Sequence, residues 1–142
     1  MINRVFCIDD DQITLTLCEM VIKKAGFASE VIGAKNGKEG LAYFSEHFSK
    51  ANKNNKTEEL PQVIFLDLNM PVMNGWNFLD DYLMKYHDRV PDTKVVILSS
   101  TVNPEDFSKA NEYDIVIDFI NKPLTVEGLE ELMHNEHLSQ YY

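Results

Sequence analysis

The strongest constraint on the fold is the alternation of five short apolar runs with helical patterns. The runs are Val5–Ile8, Val31–Ile32, Val63–Leu66, Val95–Leu98 and Ile115–Ile117. Three of them are continuous and rich in β-branched residues, which is typical of strands buried on both faces. Five alternations of strand and helix predict an α/β fold, a doubly wound parallel sheet with five helices divided between its two faces.

Local signals mark where the helices begin and end. Gly26 suits the C-terminal cap of the first helix, and Asn36 with Glu39 predicts a capping-box start for the second. Asn103-Pro104 predicts the start of the fourth helix, and Thr125 that of the fifth. The apolar spacing predicts these core-facing residues: Ile13, Leu17, Met20 and Val21 in the first helix, Leu41, Phe44 and Phe48 in the second, Trp76, Leu79, Leu83 and Tyr86 in the third, and Leu129, Leu132 and Met133 in the fifth.

A length of 142 residues suits one domain with one core, so we predict a single domain over residues 1–142. The stretch from Ser49 to Glu59 is polar and rich in Asn and Lys, and we interpret residues 49–60 as an exposed loop or a frayed helix end. The two cysteines, Cys7 and Cys18, lie in apolar patterns, which favours buried, reduced thiols over a disulfide.

Charge and hydropathy narrow the class of protein. The formal net charge of −10 argues against nucleic-acid binding, which needs a basic face. It is compatible with a cation site, although good solubility alone explains it equally well. No apolar run approaches the length of a membrane span, and the N-terminus lacks the layout of a signal peptide. The sequence therefore predicts a cytoplasmic protein with no membrane contact.

Polar residues follow four of the five apolar runs. Asp9, Asp10 and Asp11 follow the first, Asp67 the third, Ser99 the fourth, and Lys122 comes shortly after the fifth. Ligands bind at the carboxyl ends of the strands in open parallel sheets. Two charges about 4 Å apart interact by roughly 4 kcal/mol at an effective dielectric near 20, so clustered carboxylates would repel unless a cation joined them. Mg²⁺, which prefers oxygen ligands, is the natural candidate.

Each of these residues also has a simpler interpretation. The three acids can belong to a helix N-terminus, and for Asp11 we prefer that interpretation. Asp67 can be a turn residue before Met70-Pro71, Ser99 can simply end a strand, and Lys122 can belong to an ordinary turn. Their joint placement at the ends of four strands is what favours a functional site.

Four segments resemble a response-regulator receiver domain of the stand-alone, chemotaxis-regulator type. They are Val5–Asp11, Leu66–Gly75, Ile97–Ser100 and Asn121–Leu124, and the second is the most specific. The resemblance covers nearly the whole chain. It implies the flavodoxin-like strand order 2-1-3-4-5, and it also implies a cis peptide bond between Lys122 and Pro123.

The resemblance implies a role for each matching residue. Asp67 corresponds to the phospho-accepting aspartate. Asp10 and Asp67 correspond to the direct carboxylate ligands of Mg²⁺, Asp9 to the acid that holds a metal-bound water, and Asn69 to the residue that offers its backbone carbonyl. Lys122 corresponds to the lysine that pairs with Asp67 and then with the phosphoryl group. Ser99 and Phe119 correspond to the switch pair, at positions where Thr and Tyr are also common.

The resemblance also implies partners. A histidine kinase or a phosphotransfer protein would donate the phosphoryl group, and the output would pass to an unknown downstream protein. The domain would not be an enzyme beyond self-catalysed phosphotransfer and autodephosphorylation. One rival is a small aspartyl-phosphate phosphohydrolase, but such enzymes typically have a second acid where this chain has Asn69. The other rival is a phosphorylation-independent interaction module, which the intact set of acids, Ser99 and Lys122 disfavours.

Overall fold

The computed structural model describes residues 1–49, 60–100 and 103–142. The strands are β1 (Ile2–Ile8), β2 (Ala28–Ala34), β3 (Val63–Leu66), β4 (Lys94–Ser99) and β5 (Val116–Asn121), and the helices are α1 (Gln12–Lys24), α2 (Gly37–Ser49), α3 (Gly75–Lys85), α4 (Pro104–Ala110) and α5 (Val126–Met133). Two short 3₁₀ helices cover His87–Arg89 and Ser139–Tyr141. Most of the predicted polar loop, residues 50–59, lies outside the described residues.

The five strands form one parallel sheet in the order β2-β1-β3-β4-β5. This confirms the predicted α/β fold and its strand order. The central strands are apolar along their length because helices cover both faces, and β3 (Val63–Leu66) is buried at every position. One core cluster lies between the sheet and α1 and α5, and a second lies between the sheet and α2 and α3.

The predicted helix starts agree with the structure. The side chains of Asn103 and Thr125 accept hydrogen bonds from backbone N–H groups in the first turns of α4 and α5. Asn36 Oδ1 accepts from the Glu39 N–H at 2.8 Å, while Glu39 accepts weakly from the Lys35 N–H, a variation on the predicted capping box.

Three of the four residues predicted for the buried face of α1 are exposed, and only Val21 is half-buried and packs against the core. Ile13, Leu17 and Met20 are 71%, 50% and 62% exposed. The helix instead turns Cys18 and Ile22 toward the sheet, and both are buried. Apolar residues occupy two faces of this helix, and spacing alone does not say which face meets the sheet. An apolar stripe of Ile13, Leu17 and Met20 therefore lies on the surface.

Helix α3 follows its prediction only in part. Leu79 is buried as expected, but the other fully buried side chains of the helix are Phe78 and Tyr82, while Trp76 is half-buried. In the described part of the chain, every helix is too short or too polar to cross a membrane.

Candidate phosphoryl-accepting site

The sheet brings the predicted acids together at the carboxyl ends of β1 and β3. These two strands are neighbours, so Asp9 and Asp10 after β1 lie beside Asp67 after β3. Ligand oxygens of Asp9, Asp10 and Asp67 all lie within 4.8 Å of one another. Asp9 and Asp67 are buried, whereas Asp10 is exposed. The cluster is thus open to solvent on one side.

Asp11 is not part of this cluster. It is the N-cap of α1, where its Oδ1 accepts a hydrogen bond from the Ile13 N–H at 2.9 Å and its Oδ2 from the Thr14 hydroxyl at 3.2 Å. This confirms the preferred interpretation of Asp11 as a cap. The Asp11 N–H in turn donates to Asp9 Oδ1 at 2.9 Å, which helps to orient that carboxylate.

Lys122 reaches the acids from the end of β5, where the Lys122–Pro123 peptide bond is cis, as predicted. Its Nζ lies 2.6 Å from Asp9 Oδ2 and 3.7 Å from Asp67 Oδ2. The resemblance implied pairing with Asp67, but the shorter contact is with Asp9. Burial lowers the pKa of Lys122, but the hydrogen bond with Asp9 and the charges of Asp67 and Asp9 outweigh it and raise the pKa above its ordinary value.

The surroundings of Asp67 disfavour its ionised form. Burial, followed by repulsion from Asp9, raises the pKa of Asp67 to about 6, against the smaller opposing effects of Lys122 and of the Asn69 backbone N–H. That N–H donates to Asp67 Oδ1 at 3.3 Å. Asp67 therefore remains mostly ionised at neutral pH, but at an energetic cost that a cation would relieve.

The site suits Mg²⁺ in donor type and in spacing. Mg²⁺ binds oxygen ligands at 2.0–2.1 Å, so opposite ligands are about 4.2 Å apart. The carboxylate oxygens here lie within 4.8 Å of one another, so direct ligands must move closer together, while a water that the ion retains can bridge to a carboxylate that stays farther away. Among the described residues, Asp9, Asp10 and Asp67 are the one group of acidic, histidine or cysteine side chains close enough together to share a metal ion.

Two glycines hold the loop that follows Asp67, and the sequence patterns gave them no role. A Cβ on Gly75 would lie 2.6 Å from the Asp67 carbonyl oxygen and 2.9 Å from the Cα of Leu68. A Cβ on Gly37, at the start of α2, would lie 2.8 Å from the Met73 side chain. Only a residue without a side chain permits these close approaches to the loop.

The same loop contains a strained residue that the sequence did not reveal. Val72 has a φ of +70°, although it is β-branched and 77% exposed. The Met73 N–H donates to the Pro71 carbonyl at 2.7 Å across this residue, forming a tight three-residue turn. Val72 and the turn around it lie within six residues of Asp67.

Ser99 and Phe119 lie on β4 and β5, next to Lys122. Ser99 is completely buried at the end of β4, opposite Asn121, and its carbonyl accepts a hydrogen bond from the Lys122 N–H at 2.8 Å. Phe119 is half-buried, and its ring lies 5.7 Å from that of Phe107. Both rings line a cavity of about 400 Å³ next to α4. The structure thus leaves space beside the Phe119 ring.

Comparison with known proteins identifies the family. The family profile described as the response regulator receiver domain matches residues 5–134. The chain belongs to the response regulator receiver domain family. Receiver domains are in general signalling domains of two-component systems, phosphorylated on an aspartate with Mg²⁺, rather than enzymes.

Individual relatives agree with this assignment. A two-component response regulator from Cytophaga hutchinsonii has a crystal structure with a TM-score of 0.83, at 29% identity over 97% of this chain and 98% of that one. The probable methanogenesis regulatory protein FilR2 of Methanothrix harundinacea is 23% identical over 97% of this chain and 82% of its own length. Hybrid signal transduction histidine kinase F of Dictyostelium discoideum is 29% identical over 92% of this chain, which spans only 11% of the kinase.

Proposed function

We propose that this receiver domain accepts a phosphoryl group on Asp67 with the help of Mg²⁺. The observation that carries the proposal is the placement of Asp67 among Asp9, Asp10 and Lys122 at the open edge of the sheet. Asp10 and Asp67 would hold the ion directly, together with the backbone carbonyl of Asn69, and Asp9 would hold it through water. A bound Mg²⁺ would supply charge neutralisation for the transfer.

The residues of the chain supply the remaining chemistry. Asp67 is the nucleophile: one of its carboxylate oxygens attacks phosphorus, and the bond between phosphorus and the donor nitrogen or oxygen breaks. Lys122 already lies within 3.7 Å of Asp67 Oδ2, so its ammonium can neutralise the phosphoryl oxygens after a small movement away from Asp9. Beyond this self-catalysed transfer and the later hydrolysis of its own aspartyl phosphate, we propose no enzymatic activity.

Ser99 and Phe119 form the proposed switch. A phosphoryl group adds a charge of about −1.5 to −2 if its second pKa is like that of other phosphorylated residues. A hydrogen bond from the Ser99 hydroxyl to this charge is worth roughly 1.5–3 kcal/mol, enough to shift a balanced equilibrium by one to two decades. Phe119 would then move into the space released by Ser99; its ring is only half-buried, so the core does not hold it in one position. The surface formed by α4, β5 and α5 would change.

We propose a histidine kinase or a phosphotransfer protein as the donor and another protein as the downstream partner, all in the cytoplasm. The apolar stripe of Ile13, Leu17 and Met20 on α1 supports a protein donor, because it begins three residues after the exposed carboxylate Asp10. The net charge of −10 gives no support to a nucleic-acid partner.

A Mg²⁺ titration followed by Trp76 fluorescence tests the cation site. Trp76 lies one residue after Gly75, whose backbone approaches that of Asp67, so its emission is expected to change when the loop responds to the ion. The response should be lost in Asp10→Ala and Asp67→Ala and retained in Glu136→Ala, which removes an exposed acid near the end of the chain. Equal Mg²⁺ affinity in all four proteins would contradict the proposed site.

A further inference from the structure

Helix α4 (Pro104–Ala110) packs loosely on the sheet. Ala110 is the only one of its residues that is buried, and Phe107 is 53% exposed. Two cavities, of about 400 and 120 Å³, border the contact between the rings of Phe107 and Phe119 of β5. A helix that buries so little apolar surface opens or shifts at a low cost in free energy, so its contacts with other elements decide where it lies.

Three side chains, which we call the aromatic bridge, join α4 to α3. The ring of Trp76 on α3 is stacked with that of Tyr113, three residues after α4, with centroids 5.7 Å apart and planes at 21°. Lys109 of α4 places its ammonium 4.8 Å from the centroid of the Trp76 ring. The Tyr113 hydroxyl donates a hydrogen bond to Asp80 Oδ1 on α3 at 2.8 Å. Stacked rings and a cation over an indole both stabilise beyond the apolar area that they bury, so the aromatic bridge restrains α4.

The aromatic bridge is also fixed to the acceptor loop, residues 68–74 between Asp67 and α3. Trp76 follows Gly75, whose N–H donates to the Leu68 carbonyl at 3.0 Å and whose Cα faces the backbone of Asp67. The Trp76 ring packs against a small cluster of buried residues that contains both Leu68 and Ala110. A displacement of the acceptor loop therefore displaces the Trp76 ring, and that ring is in contact with α4.

We propose that the aromatic bridge couples the acceptor loop to α4 by a route that does not require Ser99. A ligand at Asp67 that moves the loop would move Trp76, and the bridge would carry this movement to α4, which has free space beside it. Coupling between two parts of a protein is reciprocal, so loosening α4 also loosens the acceptor loop. The coupling is a property of the free protein, whereas the transmission of phosphorylation through it rests on the proposed function.

Amide hydrogen exchange of the free full chain tests the coupling without any ligand. Tyr113→Leu removes the stacked ring, and exchange should rise several-fold in peptides from the acceptor loop as well as in those from α4. Tyr86→Leu is the matched control, because Tyr86 is also half-buried and stacks on Phe48, with centroids 5.7 Å apart, beyond the other end of α3. It should leave exchange in the acceptor loop unchanged. Equal acceptor-loop exchange in the wild type and Tyr113→Leu, or an equal rise in Tyr86→Leu, would overturn the proposal.

A second variant keeps the test decisive if Tyr113→Leu fails to fold, as judged by circular dichroism. Lys109→Gln removes the cation above the Trp76 ring by changing an exposed side chain. It should raise exchange in the same acceptor-loop peptides, by less than Tyr113→Leu does. If Tyr113→Leu is unfolded and Lys109→Gln exchanges like the wild type in the acceptor loop, the proposal is overturned.

Exchange measured with and without Mg²⁺ and beryllofluoride, a mimic of the phosphoryl group, tests the transmission. In the wild type both the acceptor loop and α4 should respond several-fold. In Tyr113→Leu the loop should still respond while the response of α4 falls at least by half, and in Ser99→Ala part of the α4 response should remain. An undiminished α4 response in Tyr113→Leu, or its complete loss in Ser99→Ala, would overturn the transmission. If the wild-type acceptor loop does not respond, the proposed function fails, while exchange in the free protein still decides the coupling.

Discussion

Replacing Asp67 with asparagine should stabilise the metal-free protein at neutral pH. The raised pKa means that the folded state disfavours the ionised carboxylate, which the substitution exchanges for a neutral amide. The rise from 3.8 to about 6, at about 1.4 kcal/mol per pH unit, sets an upper value of about 3 kcal/mol. Solvent screening at the open edge of the site reduces this value, so we expect Asp67→Asn to raise the free energy of unfolding by about 1–2 kcal/mol at pH 7.

The pH dependence has a defined sign. Below about pH 4 both the folded and the unfolded states keep the Asp67 proton, so this group costs no stability. Between about pH 4 and 6 only the folded state keeps it, and the contribution of Asp67 to stability falls as the pH rises. Above about pH 6 the full cost is present. The gain in free energy of unfolding of Asp67→Asn over the wild type should therefore be about half as large at pH 5 as at pH 7.

Urea unfolding of the wild type and Asp67→Asn, with a chelator at pH 5, 6 and 7, measures this difference directly. The exposed acid Asp114 provides the control variant Asp114→Asn, which should shift stability little at any of these pH values. Mg²⁺ at ten times its dissociation constant should then stabilise the wild type by about 1.4 kcal/mol and leave Asp67→Asn unchanged. An Asp67→Asn protein no more stable than the wild type at pH 7, or with an advantage independent of pH, would show that ionised Asp67 does not destabilise the fold.

Three other variants test the structure around the site, each by urea unfolding. Gly75→Ala should lower the free energy of unfolding by about 1–3 kcal/mol and slow phosphoryl acceptance, because its Cβ would lie 2.6 Å from the Asp67 carbonyl oxygen. Gly128→Ala is the matched control. The atom nearest to its Cβ would be a side-chain oxygen at 3.2 Å, so it should lower stability less. Val72→Asn should stabilise by about 1 kcal/mol, since asparagine tolerates a φ of +70° better than a β-branched residue does; a loss of stability would argue against strain there. Asp11→Ala should cost about 1 kcal/mol through loss of the α1 cap, and an unchanged stability would show that the cap contributes nothing.

The sequence predicted the sheet and the position of the acids because both depend on simple patterns. Strands covered on both faces must be apolar throughout, as in Val63–Leu66, and the residue that follows such a strand lies at the carboxyl edge. Because β1 and β3 are neighbouring parallel strands, Asp9 and Asp67 lie close together at this edge of the sheet. The caps were predictable as well, since Asp11 and Asn103 satisfy backbone groups within their own helices.

What the sequence could not predict depends on distances between segments far apart in the chain. The preference of Lys122 for Asp9 over Asp67 is a difference of about 1 Å, set by the relation of β5 to β1 and β3. The close approach of Gly75 to Asp67 likewise arises from packing. The buried face of α1 was wrongly predicted because Ile13, Leu17 and Met20 have the spacing of a core face but lie on the surface.

Phosphorylation of Asp67 is tested most directly by the mass of the intact protein after incubation with acetyl phosphate, with and without Mg²⁺. We predict a single added phosphoryl group in the wild type with Mg²⁺, located by fragmentation at Asp67, and none without Mg²⁺ or in Asp67→Asn. Ser99→Ala should still gain the group, because Ser99 acts in the proposed switch after the transfer. Labelling of Asp67→Asn at the wild-type rate would contradict Asp67 as the acceptor, and labelling of the wild type without Mg²⁺ would contradict the role of the metal.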